Sequence, residues 1–127
     1  MGEGGGRTVM VVEDYDDTRA MLRRILERKG FRVVEAANGR EAVELAAGER
    51  PDLILMDLDL PILDGIEATN RIRRMDAMRG VPIVAVTAYP MSYTRVRAFA
   101  HGCDEYLEKP FDPADLEEVL RRHLPSV

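Results

Sequence analysis

The sequence predicts an α/β domain, a doubly wound five-stranded parallel sheet with five helices, and three observations carry that prediction. Short apolar runs alternate with stretches of helical periodicity five times along the chain. Runs such as Leu53 to Met56 and Ile83 to Val86 lack the polar alternation of a half-solvated strand, so both faces of the sheet must be covered. Polar residues able to do chemistry close the runs: Glu13 and Asp14, Asp57, Thr87 and Lys109. Ligands of open α/β sheets bind beyond the carboxyl ends of the strands, where the winding reverses, so these residues share the edge at which a site belongs.

The elements follow in order. Val9 to Glu13 reads as the first strand. The helix after it enters at Tyr15-Asp16-Asp17, places Met21, Leu22, Ile25 and Leu26 on one face, and ends at Gly30. Phe31 to Glu35 reads as the second strand. Asn38 and Glu41 have the spacing of a capping box and open a helix through Ala42, Leu45 and Ala46. Pro51 precedes the third strand, Leu53 to Asp57, and Asp64 with Glu67 repeats the capping pattern before a third helix, Ile66 to Arg74. Pro82 to Val86 forms the fourth strand. The fourth helix is expected from about Thr94 to His101, delayed by Pro90 and ended by Gly102. A short strand near Glu105 to Leu107 leads to a last helix capped by Asp112, with Pro113 in its first turn and Leu116, Val119, Leu120 and Leu124 on its buried face.

A chain of 127 residues holds one such domain, and 46% hydrophobic with 32% charged residues is ordinary for a globular protein. The net charge of −5 and dispersed basic residues argue against a nucleic-acid surface, which needs a basic patch. The local cluster Arg23, Arg24, Arg28 and Lys29 reads as a solvated helix face, with partner docking as the alternative. Cys103 is the single cysteine, which excludes an internal disulfide and fits a reducing compartment. No run approaches the ~20 apolar residues of a membrane span, and glycine-rich Met1 to Gly6 lacks the apolar core of a signal peptide. The expectation is a cytoplasmic protein with a disordered tail over residues 1–7 and a domain over 8–125, with no membrane or direct nucleic-acid partner.

If the first and third strands are neighbours, Glu13, Asp14 and Asp57 converge. Two unit charges about 4 Å apart repel by about 1 kcal/mol in water and ~4 kcal/mol at an effective dielectric near 20. Lys109 neutralises one of three carboxylates, so the remainder calls for a divalent cation or a shifted pKa. Carboxylates with a backbone carbonyl and waters suit Mg²⁺, which favours phosphate as a co-ligand. Asp57 ends the central strand, and a carboxylate held there can attack phosphorus to give an acyl phosphate. Lys109 and the Thr87 hydroxyl would stabilise the phosphoryl oxygens. Any one of these acids could be a turn former or a helix cap, but matching polar groups at four strand ends are hard to obtain by chance.

At these residues the chain resembles the receiver domain of two-component response regulators, the CheY-like family. The marks are Val11-Val12-Glu13-Asp14, Met56-Asp57-Leu58-Asp59-Leu60-Pro61, Asp64-Gly65, Val86-Thr87-Ala88 and Lys109-Pro110-Phe111, and the likeness runs from about Thr8 to Leu124. The resemblance implies a flavodoxin-like strand order of 2-1-3-4-5. It implies that Asp57 accepts a phosphoryl group from a phosphohistidine of a sensor histidine kinase or a histidine phosphotransfer protein. Glu13, Asp14 and Asp57 would hold Mg²⁺ with the backbone carbonyl of Asp59, Lys109 would pair with the phosphoryl group, and Lys109-Pro110 would be a cis peptide. Thr87 and Tyr106 would be the switch pair that alters the surface of the fourth helix, fifth strand and last helix toward a downstream effector or a fused output domain. Such a domain has no external substrate to turn over, and it would be a monomer or a dimer formed on phosphorylation through its last two helices. Glu13 stands where many members have Asp, its longer arm reaching the metal through water, and Asp59 and Tyr89 occupy positions that tune phosphoryl lifetime.

Three other readings compete. Asp57-Leu58-Asp59 mimics the nucleophile motif of haloacid-dehalogenase-type hydrolases, but it lies on a middle strand, no cap domain fits, and Glu13 and Asp14 would have no role. A flavin carrier on the same fold needs a phosphate-binding loop, and the turn Glu13 to Asp17 is acidic instead. A degenerate receiver that is never phosphorylated would not need the complete set of groups present here.

Overall fold

The computed structural model describes residues 5–88 and 91–124, with side chains except at 91–93. Five strands, β1 (Thr8–Val12), β2 (Arg32–Ala36), β3 (Leu53–Asp57), β4 (Ile83–Thr87) and β5 (Glu105–Glu108), form one parallel sheet in the order 2-1-3-4-5. They alternate with α1 (Asp16–Arg28), α2 (Gly39–Glu49), α3 (Gly65–Arg73), α4 (Met91–Ala100) and α5 (Pro113–His123).

Side chains alternate across a strand, and here the alternation separates two cores. Met10, Val12, Ile54, Met56, Ile83 and Ala85 face α2, α3 and α4 through Ala42, Ala46, Ala68, Ile72 and Ala98. Val9, Val11, Leu53, Leu55, Val84 and Val86 face α1 and α5 through Leu22, Leu26, Leu116, Val119 and Leu120. β1, β3 and β4 are buried along their whole length, which is why their sequences carry no polar alternation.

Helix entrances follow the local chemistry. Asn38 and Asp64 accept from the backbone N–H groups of Glu41 and Glu67, each at 2.9 Å. The reciprocal half of each expected box differs: the Glu41 carboxylate accepts from Ala37 N–H at 2.8 Å, one residue further back, and Glu67 pairs with Arg71 at 3.2 Å. At α5 both halves are present between Asp112 and Asp115, with Pro113 in the first turn. Gly30, at φ 91°, closes α1 in the left-handed conformation that favours glycine.

Two expectations need correction. Met21 is 45% exposed, because the stripe of α1 that meets the sheet is centred on Leu22 and Leu26 and Met21 lies about 100° round the helix from Leu22. α4 begins at Met91, three residues before the expected start, since a proline ahead of a helix removes no intrahelical hydrogen bond. A 3₁₀ turn, Asp76–Met78, on which the sequence reading is silent, fills the α3–β4 connection and buries Met78. Tyr89 and Pro90, residues 1–4 of the expected tail, and residues 125–127 lie outside the described residues. Within that tail the Arg7 carbonyl accepts from Arg32 N–H at 2.9 Å, one step before β1 begins.

The start of α3 is pressed against the end of β3. A Cβ on Gly65 would sit 2.1 Å from the Asp57 carbonyl oxygen and 2.6 Å from Leu58 Cα, whereas a Cβ on Gly48 would meet nothing within 4 Å. Gly65→Ala should therefore lower unfolding free energy by about 2–3 kcal/mol, as overpacking against fixed backbone does. Gly48→Ala, in the helix α2, should raise it by about 0.5–1 kcal/mol. Urea unfolding of both variants checks the contrast.

Candidate functional site

The sheet reverses direction of growth between β1 and β3, and that is where the acids meet. Val12 pairs with Met56 in register, so Glu13 emerges beside Asp57 at the carboxyl edge. Asp57 pairs with Val86 on the other side, and Lys109, after β5, is tied down by its N–H to the Thr87 carbonyl at 2.7 Å. Lys109-Pro110 is a cis peptide, as expected. Oxygens of Glu13, Asp14 and Asp57 lie within 4.8 Å of one another. A cleft of about 430 Å³, lined by Asp14, Tyr15, Thr18, Asp57, Asp59, Ala88 and Lys109, opens over them.

Burial and charge are unequally shared. Glu13 and Asp57 are 2% and 5% exposed, while Asp14 faces solvent. The Lys109 ammonium donates to Glu13 Oε1 at 2.6 Å and to Asp57 Oδ2 at 3.2 Å. Tyr15 N–H adds a bond to Glu13 Oε2 at 3.2 Å, and Asp59 N–H one to Asp57 Oδ1 at 3.0 Å. Burial works to raise the Glu13 carboxyl, but hydrogen bonds from Lys109, Asp57 and Tyr15 outweigh it and hold it below its usual value. Asp57 is pushed up to about 6, chiefly by burial, with the neighbouring Glu13 adding to the rise against the Asp59 N–H bond and the Lys109 charge. Desolvation and Glu13 also raise Asp14. Burial disfavours the Lys109 charge, yet Glu13 and Asp57 prevail and raise its pKa.

The donor set fits a hard divalent cation. Of three clustered carboxylates two share one ammonium group, and burial, with Glu13 beside it, makes Asp57 reluctant to ionise. The oxygens are close enough for one Mg²⁺ to touch some directly and others through water.

The sequence-derived residues are not all equally placed. Glu13, Asp14, Asp57 and Lys109 come together, and Asp59 lines the same cleft. Thr87 is fully buried at the end of β4, one step beyond the Asp57 level, and its hydroxyl interacts with that of Tyr106. Ala88, the next residue, lines the cleft. Tyr106 is half-buried against the core beneath α2, α3 and α4. Sequence reasoning does not single out Tyr15, Thr18 or Arg19. Arg19 donates to the Glu13 carbonyl at 2.8 Å, and its position one turn into the helix after two acids is the only sequence signal it offers.

The raised Asp57 pKa has a stability consequence in metal-free protein. A carboxyl whose folded pKa exceeds its unfolded value stabilises the fold fully below the unfolded pKa and loses that contribution as pH rises through the folded one. Glu13 is ionised in both states above pH ~5 and Lys109 charged in both below pH ~9, so neither offsets the trend in between. Without Mg²⁺, wild-type stability should fall by about 1–2 kcal/mol between pH 5 and pH 8 on account of Asp57. Asp57→Asn should flatten that profile and be the more stable protein at pH 8. Chemical unfolding across this range, with chelator present, checks both.

A family model for the response regulator receiver domain matches residues 9–121. The polar-differentiation response regulator DivK of Brucella anthropi is 36% identical over 118 residues, covering 93% of this chain and 96% of its own length. The receiver domain of sensor histidine kinase PA1611 from Pseudomonas aeruginosa, whose structure carries a magnesium ion coordinated in the active site cleft, superimposes with a TM-score of 0.88 at 39% identity over 95% of this chain and 99% of that one. The chemotaxis protein CheY4 of Vibrio cholerae superimposes with a TM-score of 0.89 at 31% identity, covering 94% and 99% of the two chains. With its 2-1-3-4-5 sheet and an acidic pocket at the β1–β3 reversal, this chain belongs to the response regulator receiver domains of two-component signalling.

Proposed function

We propose that this domain is a phosphorylation switch that takes a phosphoryl group from a kinase or phosphotransfer-protein phosphohistidine onto Asp57. The observation that carries the reading is the pairing of a buried, strand-end carboxylate with one lysine and two further acids, open to a cleft on one side only. With a pKa of about 6, Asp57 is largely ionised at neutral pH and more nucleophilic than an ordinary aspartate. One of its oxygens attacks phosphorus in line, the phosphorus–nitrogen bond breaks, and the electron pair leaves on the imidazole, which takes up a proton.

Asp14, Asp57, the Asp59 carbonyl and, through water, Glu13 would hold Mg²⁺. Bound there, Mg²⁺ would supply positive charge to offset the carboxylates and to stabilise the transferring phosphoryl group. Lys109 turns from its carboxylate partners to a phosphoryl oxygen, a short movement for a flexible side chain already aimed at Asp57. The Thr87 hydroxyl, now engaged with Tyr106, is taken by another phosphoryl oxygen, and Tyr106 then re-seats. Tyr106 lies on the edge strand β5, so the event is read at the surface of α4, β5 and α5 by an effector protein or a fused output domain. Asp59 and Tyr89 would set the phosphoryl lifetime. Turnover is confined to the domain's own phosphorylation and dephosphorylation. We place it in the cytoplasm as a single receiver unit over residues 8–125, in keeping with its one buried cysteine, with no membrane or direct nucleic-acid contact, as a monomer or a phosphorylation-dependent dimer.

Intact mass after incubation with acetyl phosphate and Mg²⁺ tests the reading. One phosphoryl adduct is expected on wild type, none on Asp57→Asn, and none when Mg²⁺ is chelated; an adduct that persists in Asp57→Asn would refute the assignment. Lys109→Ala should slow adduct formation on the order of 100–1,000-fold, the scale of losing one preorganised donor to developing charge. Thr87→Ala should still form the adduct but lose the phosphorylation-induced NMR shifts of Tyr106 and its β5 neighbours.

A further inference from the structure

Arg19 reaches back from α1 to the acidic loop and makes three different contacts there. Its Nη1 donates to the Glu13 carbonyl oxygen at 2.8 Å, its Nη2 to Asp16 Oδ1 at 2.7 Å, and its Nε to Glu35 Oε1 at 3.3 Å. The side chain is only 18% exposed. Glu35 lies on β2 opposite Val11 and is held from its other side by Arg23. Glu13 N–H is meanwhile fixed to the Ala36 carbonyl at 3.0 Å. The Glu13 backbone is thus anchored at both ends, by the β2 edge on one side and by a braced guanidinium on the other.

That second anchor grips a particular bond. The Glu13 carbonyl belongs to the peptide that joins Glu13 to Asp14, and a peptide is planar, so holding its oxygen also sets the Asp14 N–H and Cα. Asp14 is the exposed acid of the three and lines the mouth of the cleft. We propose that Arg19 is a positioning residue for the acidic pocket, setting the Glu13–Asp14 peptide while Glu35 and Asp16 brace its guanidinium. The proposal rests on the magnesium-dependent phosphoacceptor reading of the pocket. A lysine cannot reproduce it, because an ammonium group lacks the fixed fork that meets a carbonyl and two carboxylates at once. Arg19 touches neither the cation nor the phosphoryl group, so its loss should weaken metal binding and spare the chemistry once metal is saturating.

The experiment compares wild type with Arg19→Ala, Arg19→Lys, Glu35→Gln, and Arg32→Ala, which removes a separate β2 ion pair, that with Glu49 at 2.9 Å. Three quantities are read: the Mg²⁺ dissociation constant by calorimetry, the Asp14 amide signal in metal-free protein by NMR, and the Mg²⁺ dependence of phosphorylation by acetyl phosphate. Arg19→Ala should raise the dissociation constant about tenfold, the usual cost of losing an outer-shell partner of a metal ligand. Its Asp14 amide should shift and broaden, and its rate at saturating Mg²⁺ should stay within about twofold of wild type, the pattern of lost binding without lost transition-state contact. Arg19→Lys and Glu35→Gln should fall between wild type and Arg19→Ala, and Arg32→Ala should match wild type. An Arg19→Ala protein that is folded but keeps its Mg²⁺ affinity overturns the proposal and leaves Arg19 a plain tie between α1 and β2. If Arg19→Ala does not fold, an unchanged affinity in Glu35→Gln and Arg19→Lys overturns it in the same way. If wild type itself neither binds Mg²⁺ nor accepts phosphoryl, the receiver reading fails, and the Asp14 amide still decides: a moved signal in metal-free Arg19→Ala supports the positioning role, and an unmoved one overturns it.

Discussion

The constraint on which the rest depends is an excess of negative charge at the end of a buried sheet. Glu13 and Asp57 are almost wholly shielded from water and share the single Lys109 ammonium, with Asp14 beside them. Inside a protein a carboxylate with half a counter-charge is expensive to keep ionised. In the proposed function the missing charge comes from the cleft, as a cation and then as the anion that the cation attracts. A site built in this way would be incomplete until filled, and that incompleteness would make it respond to a ligand.

Placement of those charges is a matter of topology and register rather than of loops. β1 and β3 are adjacent because the chain winds outward from β1 first to one side and then to the other, and their pairing puts Glu13 and Asp57 side by side. The covering helices stop short of this edge only where the sequence lets them. At Gly65, α3 approaches the Asp57 carbonyl more closely than any side chain would permit, so the Asp57 backbone is buttressed from behind. On the other flank, the Lys109 N–H bond to Thr87 locks the end of β5 onto β4. Asp57, Lys109 and Thr87 are therefore carried by three strands whose relative positions are set by backbone hydrogen bonds, the rigidity that the proposed in-line transfer would require.

Much of this is legible in the sequence because strand ends announce themselves. An apolar run that stops at a carboxylate or a lysine marks both the element and the residue it presents, so β3 is readable residue for residue and the acidic pocket emerges from counting charges. Helix faces are less legible: Met21 and Leu22 are both apolar, and only the angle at which α1 meets the sheet decides that Met21 points outward. The start of α4 is less legible still, since a proline reads equally as a barrier to a helix and as its entrance. Arg19 shows the limit most clearly. Its role rests on a contact to a backbone carbonyl, and a backbone carbonyl has no letter in the sequence. The Thr87–Tyr106 interaction is similar, because it depends on β4 and β5 being neighbours in register.

Two carboxylates share the lysine, yet their surroundings differ. Lys109 lies closer to Glu13, at 2.6 Å, than to Asp57, at 3.2 Å, and Glu13 also accepts from Tyr15 N–H. Glu13 is thereby held below its usual value, while burial, with the neighbouring Glu13 adding to it, pushes Asp57 up to about 6. Neighbouring acids whose environments push their affinities for protons apart are suited to separate roles, one as a fixed ligand and one as the reacting group. Asp57 also lies on the central strand and lines the cleft. In the proposed function that exposure to the cleft would make Asp57 the attacking acid, while the longer Glu13 side chain, reaching the lysine from the loop after β1, takes the closer contact with the ammonium group.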